Sequence, residues 1–184
     1  MPRSKSSLTT PWSKRDPATK KAGNGSVMGP LHGVPFRIKD SIEVPGSICT
    51  AGTDGVCSRA EVEDATAVAR VRNAGAIPVA KTNLPDLLLA FEANNLLFGR
   101  TNNPYDGTRT TGGSSGGEAT LIAACGSPMG LGSDAAGSVR APAAFCGIAS
   151  IKPTSGRLPR TGPFSSSGRV DRTALANRAH GKTR

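Results

Sequence analysis

The sequence predicts an α/β fold, a sheet with helices on its faces. Two observations carry that prediction. Short apolar runs of strand type alternate with segments of helical periodicity, and Gly and Pro punctuate the boundaries between them.

In chain order, "GVPFRIKD" places a short strand at residues 34–39, closed by Lys39. Asp64 offers an N-cap for "ATAVARVRNAG", where Val68 and Val71 lie one turn apart and Gly75 follows as a stop, so a helix is expected there. "AIPVAKT" (76–82) reads as a buried strand. "LPDLLLAFE" (84–92) reads as a second helix with Pro85 in its first turn. "NNLLFGRTNNPYDGTRT" is an irregular connection. Residues 118–125 are small and apolar on nearly every side and predict a buried helix, 128–133 a short strand, and 138–145 a further helix. Lys81 is read as structural and the four cysteines as core residues.

At 184 residues there is room for one domain with a core. The hydrophobic share is 36%, and the 23 glycines bring the small-plus-apolar share to about 48%, an ordinary value for a globular chain. The longest strongly apolar run, 87–91, is far shorter than the roughly 18 residues of a spanning helix. The net charge of +10 belongs to the ends: +5 from residues 1–22, −1 from 23–156 and +6 from 157–184. Polar basic ends predict solvated tails at 1–22 and 163–184 around a folded unit at 23–162, and nucleic acid is not the expected partner. No metal site is expected, because Cys49, Cys57, Cys125 and Cys146 form no CxxC pair and His32 and His180 lie far apart. Thiols without a disulfide pattern and the lack of an apolar signal segment predict a cytoplasmic protein. The basic, Ser/Thr-rich start leaves an organellar transit peptide as the alternative.

Two glycine- and serine-rich loops, around residues 112–117 and 132–138, need a chemistry that uses backbone freedom twice. A phosphate cradle is disfavoured, since Glu118 opens the helix where a Walker loop carries Lys followed by Ser or Thr; the terminal "GKT" has Ala176 in place of the required Gly. Nucleophilic catalysis by serine needs a base, and neither His is well placed. Lysine remains, provided that burial or positive neighbours lower its pKa from about 10.4 so that the neutral amine is available. Lys39, after the apolar run around Phe36 and Ile38, suits that role.

"GVPFRIKD", "GGSSGGEA" and "GSDAAGSVRAPAAFCG" resemble the three defining motifs of the amidase signature family, over residues 29–162. The wording between them is similar to the fatty acid amide hydrolase branch. The resemblance implies a partial amidase-signature fold, a mixed sheet flanked by helices, and hydrolysis of carboxylic amides, fatty acid amides among them, by a Ser-Ser-Lys triad without cofactor. Residue by residue it assigns Lys39 as base, Ser114 after a cis peptide bond as relay, and Ser138 as nucleophile. The backbone amides of Ala135, Ala136, Gly137 and Ser138 would form the oxyanion hole, with Ser138 at a loop-to-helix junction whose helix amides also point there. Asp134 and Arg140 flank that loop and could pair to hold it.

This chain departs from the family pattern in two ways. Ala136 stands where the family usually has the first of two glycines; a left-handed backbone there would strain the loop by about 1 to 2 kcal/mol. Family members also run to several hundred residues, so the resemblance implies a truncated form lacking most of the acyl pocket, with exposed sheet surfaces that favour self-association. Two other readings stay open: a catalytically inactive amidase-like fragment that binds a partner, and a protein resembling the glutamyl-tRNA amidotransferase component of the same family. Glu118 directly after "GGSSGG" favours the hydrolase branch over the latter.

Overall fold

A computed structural model describes residues 27–55, 63–159 and 161–162 and the backbone of 173–177. Strand β1 (Pro35–Lys39) leads through α1 (Thr66–Asn73) to β2 (Ile77–Thr82), and β1 pairs in parallel with β2. After an irregular stretch holding the small ribbon β3 (Asn94–Asn95) and β4 (Gly99–Arg100) come α2 (Gly116–Ala123), β5 (Met129–Ser133), α3 (Arg140–Phe145) and β6 (Ala149–Ile151). The last element is β7 (Thr173–Asn177). The main sheet has the order β2-β1-β5-β7-β6; β1 and β5 are parallel, while β7 runs antiparallel to both β5 and β6. The fold is therefore α/β with a mixed sheet flanked by helices, as expected.

Alternation along β1 separates the two faces of the sheet. Phe36 and Ile38 are fully buried in an apolar cluster with Ile42, Val44, Ala67 and Val68, Met129 and Leu131, so α1 covers this face. Arg37 and Lys39 point the other way, toward α2. That approach is close: a Cβ on Gly130 of β5 would lie 1.9 Å from Glu118 Oε2 of α2, so any side chain there would force the Glu118 carboxyl to move. β2 forms one edge of the sheet, which is why Pro78 is tolerated within it.

Four expectations are corrected. Asp64 does not cap α1: Ala65 stands at the N-cap with no side-chain bond to the helix, and the Asp64 carboxylate pairs instead with Arg72 at 3.0 Å. Residues 84–92 do not form a helix, only a 3-10 turn at Asp86–Leu88 with positive φ at Leu87 and Leu88. The Ala51 carbonyl takes the Leu87 amide at 2.8 Å, and Leu89 and Phe91 are exposed, so the segment has no face to bury as a helix. The C-terminal basic stretch contains β7, where the neutral run "TALAN" fits between β5 and β6; charged flanks hide so short a strand from composition. Cys49 and Cys146 are buried, but Cys125 is exposed where the chain leaves α2 with φ of 60°, so it is not a core residue. Cys57 and the N-terminal tail expected at 1–22 lie outside the described residues. The observed bounds of α2, β5 and α3 differ from expectation by one or two residues, the ordinary uncertainty of element ends.

Lys81, read as structural, is so placed. Its Nζ pairs with Asp40 Oδ1 at 3.2 Å, nearly out of solvent, and donates to the Ile42 carbonyl. Burial raises the Asp40 pKa, and the charge of Lys81 and the Thr50 hydroxyl oppose that shift.

Candidate active site

Lys39 ends β1 with no exposed surface. Its Nζ donates to Ser114 Oγ at 2.6 Å and to Ser133 Oγ at 2.9 Å, with the Ser133 carbonyl at 3.5 Å. Ser114 is 1% exposed and follows a cis Gly113–Ser114 peptide bond. It sits in the turn that opens α2. Ser133 ends β5, the strand paired with β1 on the side away from β2. Reasoning from the sequence missed Ser133. One signal was available: it directly precedes Asp134 at the end of a strand that must lie beside the strand carrying Lys39.

Ser138 lies in the turn before α3 and is 8% exposed. Its carbonyl accepts the Ser115 amide at 2.9 Å, so the backbones of the two serine-rich loops are joined beside the candidate hydroxyls. The Ser115 hydroxyl donates to the Ser133 carbonyl at 3.3 Å, adding a second tie between the loops.

Asp134 organises the loop that carries Ser138. Its carboxylate accepts the amides of Gly137 at 2.9 Å, Val139 at 3.1 Å and Arg140 at 3.3 Å. It also accepts Arg140 Nε at 3.0 Å and Nη2 at 2.9 Å, the two-pronged geometry in which guanidinium matches carboxylate. Burial works against the charged form, yet the Arg140 bonds and these three amides outweigh it and hold the Asp134 pKa down at about 2. The pair is a clamp on the loop.

Two expectations about the oxyanion hole change as a result. The Gly137 amide is engaged by Asp134, and so are the amides at the start of α3, because this loop must cap its own carboxylate. Ala135, Ala136 and Ser138 remain as candidate donors. The strain expected at Ala136 is also missing: among the described residues the non-glycine positions with positive φ are Ala51, Leu87, Leu88 and Cys125, and it is Gly137 that has φ of 121°. The reversal of the chain falls on the one glycine the loop retains.

Beneath Lys39 sits Glu118, 1% exposed, accepting the Thr82 hydroxyl on Oε1 at 2.9 Å. Burial pushes its pKa up to about 8, against the Thr82 bond and the positive charges of Arg37 and Lys39.

The family model described as Amidase matches residues 7–173. The chain belongs to the amidase family. It is 46% identical over 140 residues to fatty acid amide hydrolase 1 of Caenorhabditis elegans, covering 76% of this chain and 24% of the relative. It is 45% identical over 157 residues to a component of the glutamyl-tRNA(Gln) amidotransferase of Treponema pallidum (strain Nichols), covering 84% and 31%. A crystal structure described as an amidase superposes with a TM-score of 0.84 at 35% identity, over 94% of this chain and 40% of that one. This amidase chain thus spans less than a third of the length of these two curated relatives. The two branches resemble it equally well, so Glu118 after "GGSSGG" does not separate them by overall identity.

Proposed function

We propose that this chain carries the catalytic residues of an amide hydrolase, with Ser138 as nucleophile, Ser114 as relay and Lys39 as base. The observation that carries the reading is the 2.6 Å bond between the fully buried Lys39 Nζ and Ser114 Oγ. An amine in this position takes the Ser114 proton as Ser114 takes that of Ser138, and Ser138 Oγ adds to the amide carbonyl carbon. The developing oxyanion faces the amides of Ala135, Ala136 and Ser138. Collapse expels the amine, which leaves with the relayed proton, and water then cleaves the acyl ester by the same route in reverse. No cofactor enters any step.

The substrate class that fits is a carboxylic amide with an apolar acyl part. Leu89, Phe91 and Phe145 are 73%, 59% and 56% exposed, and the backbone of Phe91 and the ring of Phe145 lie against Gly113 and Gly112, beside Ser114. An apolar rim of this kind favours fatty acyl amides over short polar ones. The 45% identity to an amidotransferase component favours a second reading, in which the same residues act on a small polar carboxamide.

A fluorophosphonate probe tests the chemistry, because it reacts with an activated serine without needing a complete acyl pocket. Stoichiometric labelling of Ser138, lost in Lys39→Ala and in Ser114→Ala, is expected. Absence of labelling in the native chain overturns the reading and leaves an inactive amidase-like fold. Competition by a long-chain amide against a short polar carboxamide then separates the two substrate classes.

A further inference from the structure

Ser133 touches the Lys39 amine but has no part in the scheme above. It is the last residue of β5 and is fully buried. It offers the amine two acceptors, its hydroxyl at 2.9 Å and its own carbonyl at 3.5 Å, the outer limit of a hydrogen bond. The backbone that carries them is fixed from both sides: β1 pairs with β5 as far as Leu131, and Ser133 itself is in register with Thr173 of β7. At the preceding Gly132 a Cβ would stand 2.8 Å from Ser115 Oγ and 2.8 Å from Val139 Cγ2, so the two serine-rich loops close down on the end of this strand. Ser115 Oγ donates to the Ser133 carbonyl at 3.3 Å, which leaves the second lone pair of that oxygen for Lys39.

A neutral amine has two hydrogens and one lone pair, and only the lone pair can take a proton. The Ser133 carbonyl can only accept, so it draws one amine hydrogen toward itself, and the Ser133 hydroxyl, accepting at 2.9 Å, draws the other. The lone pair is left for Ser114 Oγ at 2.6 Å, the shortest of the three distances. An amine on a flexible four-carbon stem turns easily about its last bond, so without two acceptors a hydrogen faces Ser114 as readily as the lone pair does. The charged groups on this face of the sheet around Lys39 are Arg37 of β1 and Glu118 of α2. Lys81 of β2 is turned to Asp40, Asp134 is held by Arg140, and neither β5 nor β7 contains a titratable residue.

We propose that Ser133 is a positioning residue for the reaction: its hydroxyl and carbonyl hold the two hydrogens of the Lys39 amine and so aim the lone pair at the Ser114 hydroxyl. The inference deepens the hydrolase reading and rests on it for its meaning. The new N–H bond on Lys39 forms as the Ser114 O–H bond breaks, and Ser114 takes the hydrogen of Ser138 in exchange. The ammonium so formed carries three hydrogens, and Ser114 Oγ, Ser133 Oγ and the Ser133 carbonyl accept one each. The proton returns along the same bond when the leaving amine is protonated. Ser133 gives up no proton in this cycle, so removing its hydroxyl disturbs the aim of the base and leaves the route of the proton intact.

Ser133→Ala removes the hydroxyl and keeps the carbonyl. In the full chain carrying this change, the rate of fluorophosphonate labelling of Ser138 on its high-pH plateau is expected to fall about tenfold, the scale of one hydrogen bond. The pH profile should move as well: an acceptor favours the ammonium, the stronger donor, so its loss is expected to shift the acid limb to lower pH by about half a unit to one unit. Labelling with 13C-lysine reads the same midpoint directly, the Lys39 Cε resonance being assigned by its loss in Lys39→Met. Ser133→Thr, which keeps the oxygen, is expected to retain the native plateau and midpoint. A residue that merely packs would lower the extent of labelling along with the folded fraction and leave the midpoint in place. A native plateau and midpoint in Ser133→Ala overturn the proposal, and so does a faster plateau, which would mean that the hydroxyl occupies the lone pair and not a hydrogen. If the native chain takes up no probe, the hydrolase reading fails and the Lys39 midpoint decides alone: a fall in Ser133→Ala supports the hold of Ser133 on the amine, and an unchanged midpoint defeats it.

Discussion

The two faces of β1 make opposite use of burial. Toward α1, Phe36 and Ile38 enter an apolar cluster that needs only matching volume. Toward α2, Lys39, Ser114, Ser133, Thr82 and Glu118 are all buried as well, and each has at least one hydrogen bond. Between adjacent residues of one strand, the same loss of solvent supplies cohesion on one side and altered acid-base behaviour on the other. A buried polar group is expensive unless paired, so this second face holds only as long as its partners stay in register.

The sharpest way to break the comparison is to remove one residue from each face. Lys39→Ala is expected to lower the rate of probe labelling at Ser138 by about 10²- to 10⁴-fold, the usual scale for a general base. Thermal melts of the same variant would show whether a lost fold, rather than a lost base, explains the result. Ile38→Ala, its neighbour on the apolar face, is expected to lower stability by about 2 to 5 kcal/mol in urea unfolding, with labelling retained under conditions where the variant is folded. If Ile38→Ala left stability unchanged, the apolar face would not be the cohesive one.

Acid sharpens the contrast within the polar face. The Asp134 pKa is lowered from 3.8 to about 2, so its stabilising effect is full above the unfolded value and disappears as pH falls through the folded one. With solvent screening on the half-exposed Arg140 side, that amounts to about 1 to 2 kcal/mol lost between roughly pH 4 and 2. Asp134→Asn should flatten this part of a stability-versus-pH curve. Glu118 has the opposite sign: its pKa is raised from 4.5 to about 8, so its contribution is full below 4.5 and falls away as pH rises toward 8. Glu118→Gln is therefore expected to raise Tm relative to the native chain at pH 8 more than at pH 4. Equal changes at both values would argue against a raised pKa.

The smallest effect is expected at Ala136→Gly. Since Ala136 does not have positive φ, glycine relieves no strain and only loosens the unfolded chain, lowering stability by about 0.5 to 1 kcal/mol. A gain in labelling on this substitution would show that the oxyanion loop is distorted by the alanine.

Much of the molecule was legible because it depends on local rules. The run "VPFRIK" alternates and stops, and it forms β1; Gly75 follows the end of α1 as expected, though Asp64 does not cap its start; "AIPVAKT" forms β2. The motifs likewise pointed to Lys39 and Ser114, whose contact spans 75 positions of sequence. The failures share one cause. "LPDLLLAFE" has helical composition, but Leu87 bonds to Ala51 and the segment finds no surface to cover. "TALAN" has little strand character of its own and becomes β7 because β5 and β6 offer it backbone partners on both sides.

By itself the sequence determined which residue types alternate along each strand, where the chain must turn, and which lysine and serines belong to the family's motifs. Only the tertiary structure decided that Ser133 joins Ser114 on the Lys39 amine, that Asp134 claims the Gly137 amide, and that Glu118 lies beneath both cations of β1. Periodicity specifies the direction in which a side chain points, whereas its hydration and charged neighbours depend on what packs over it from distant parts of the chain.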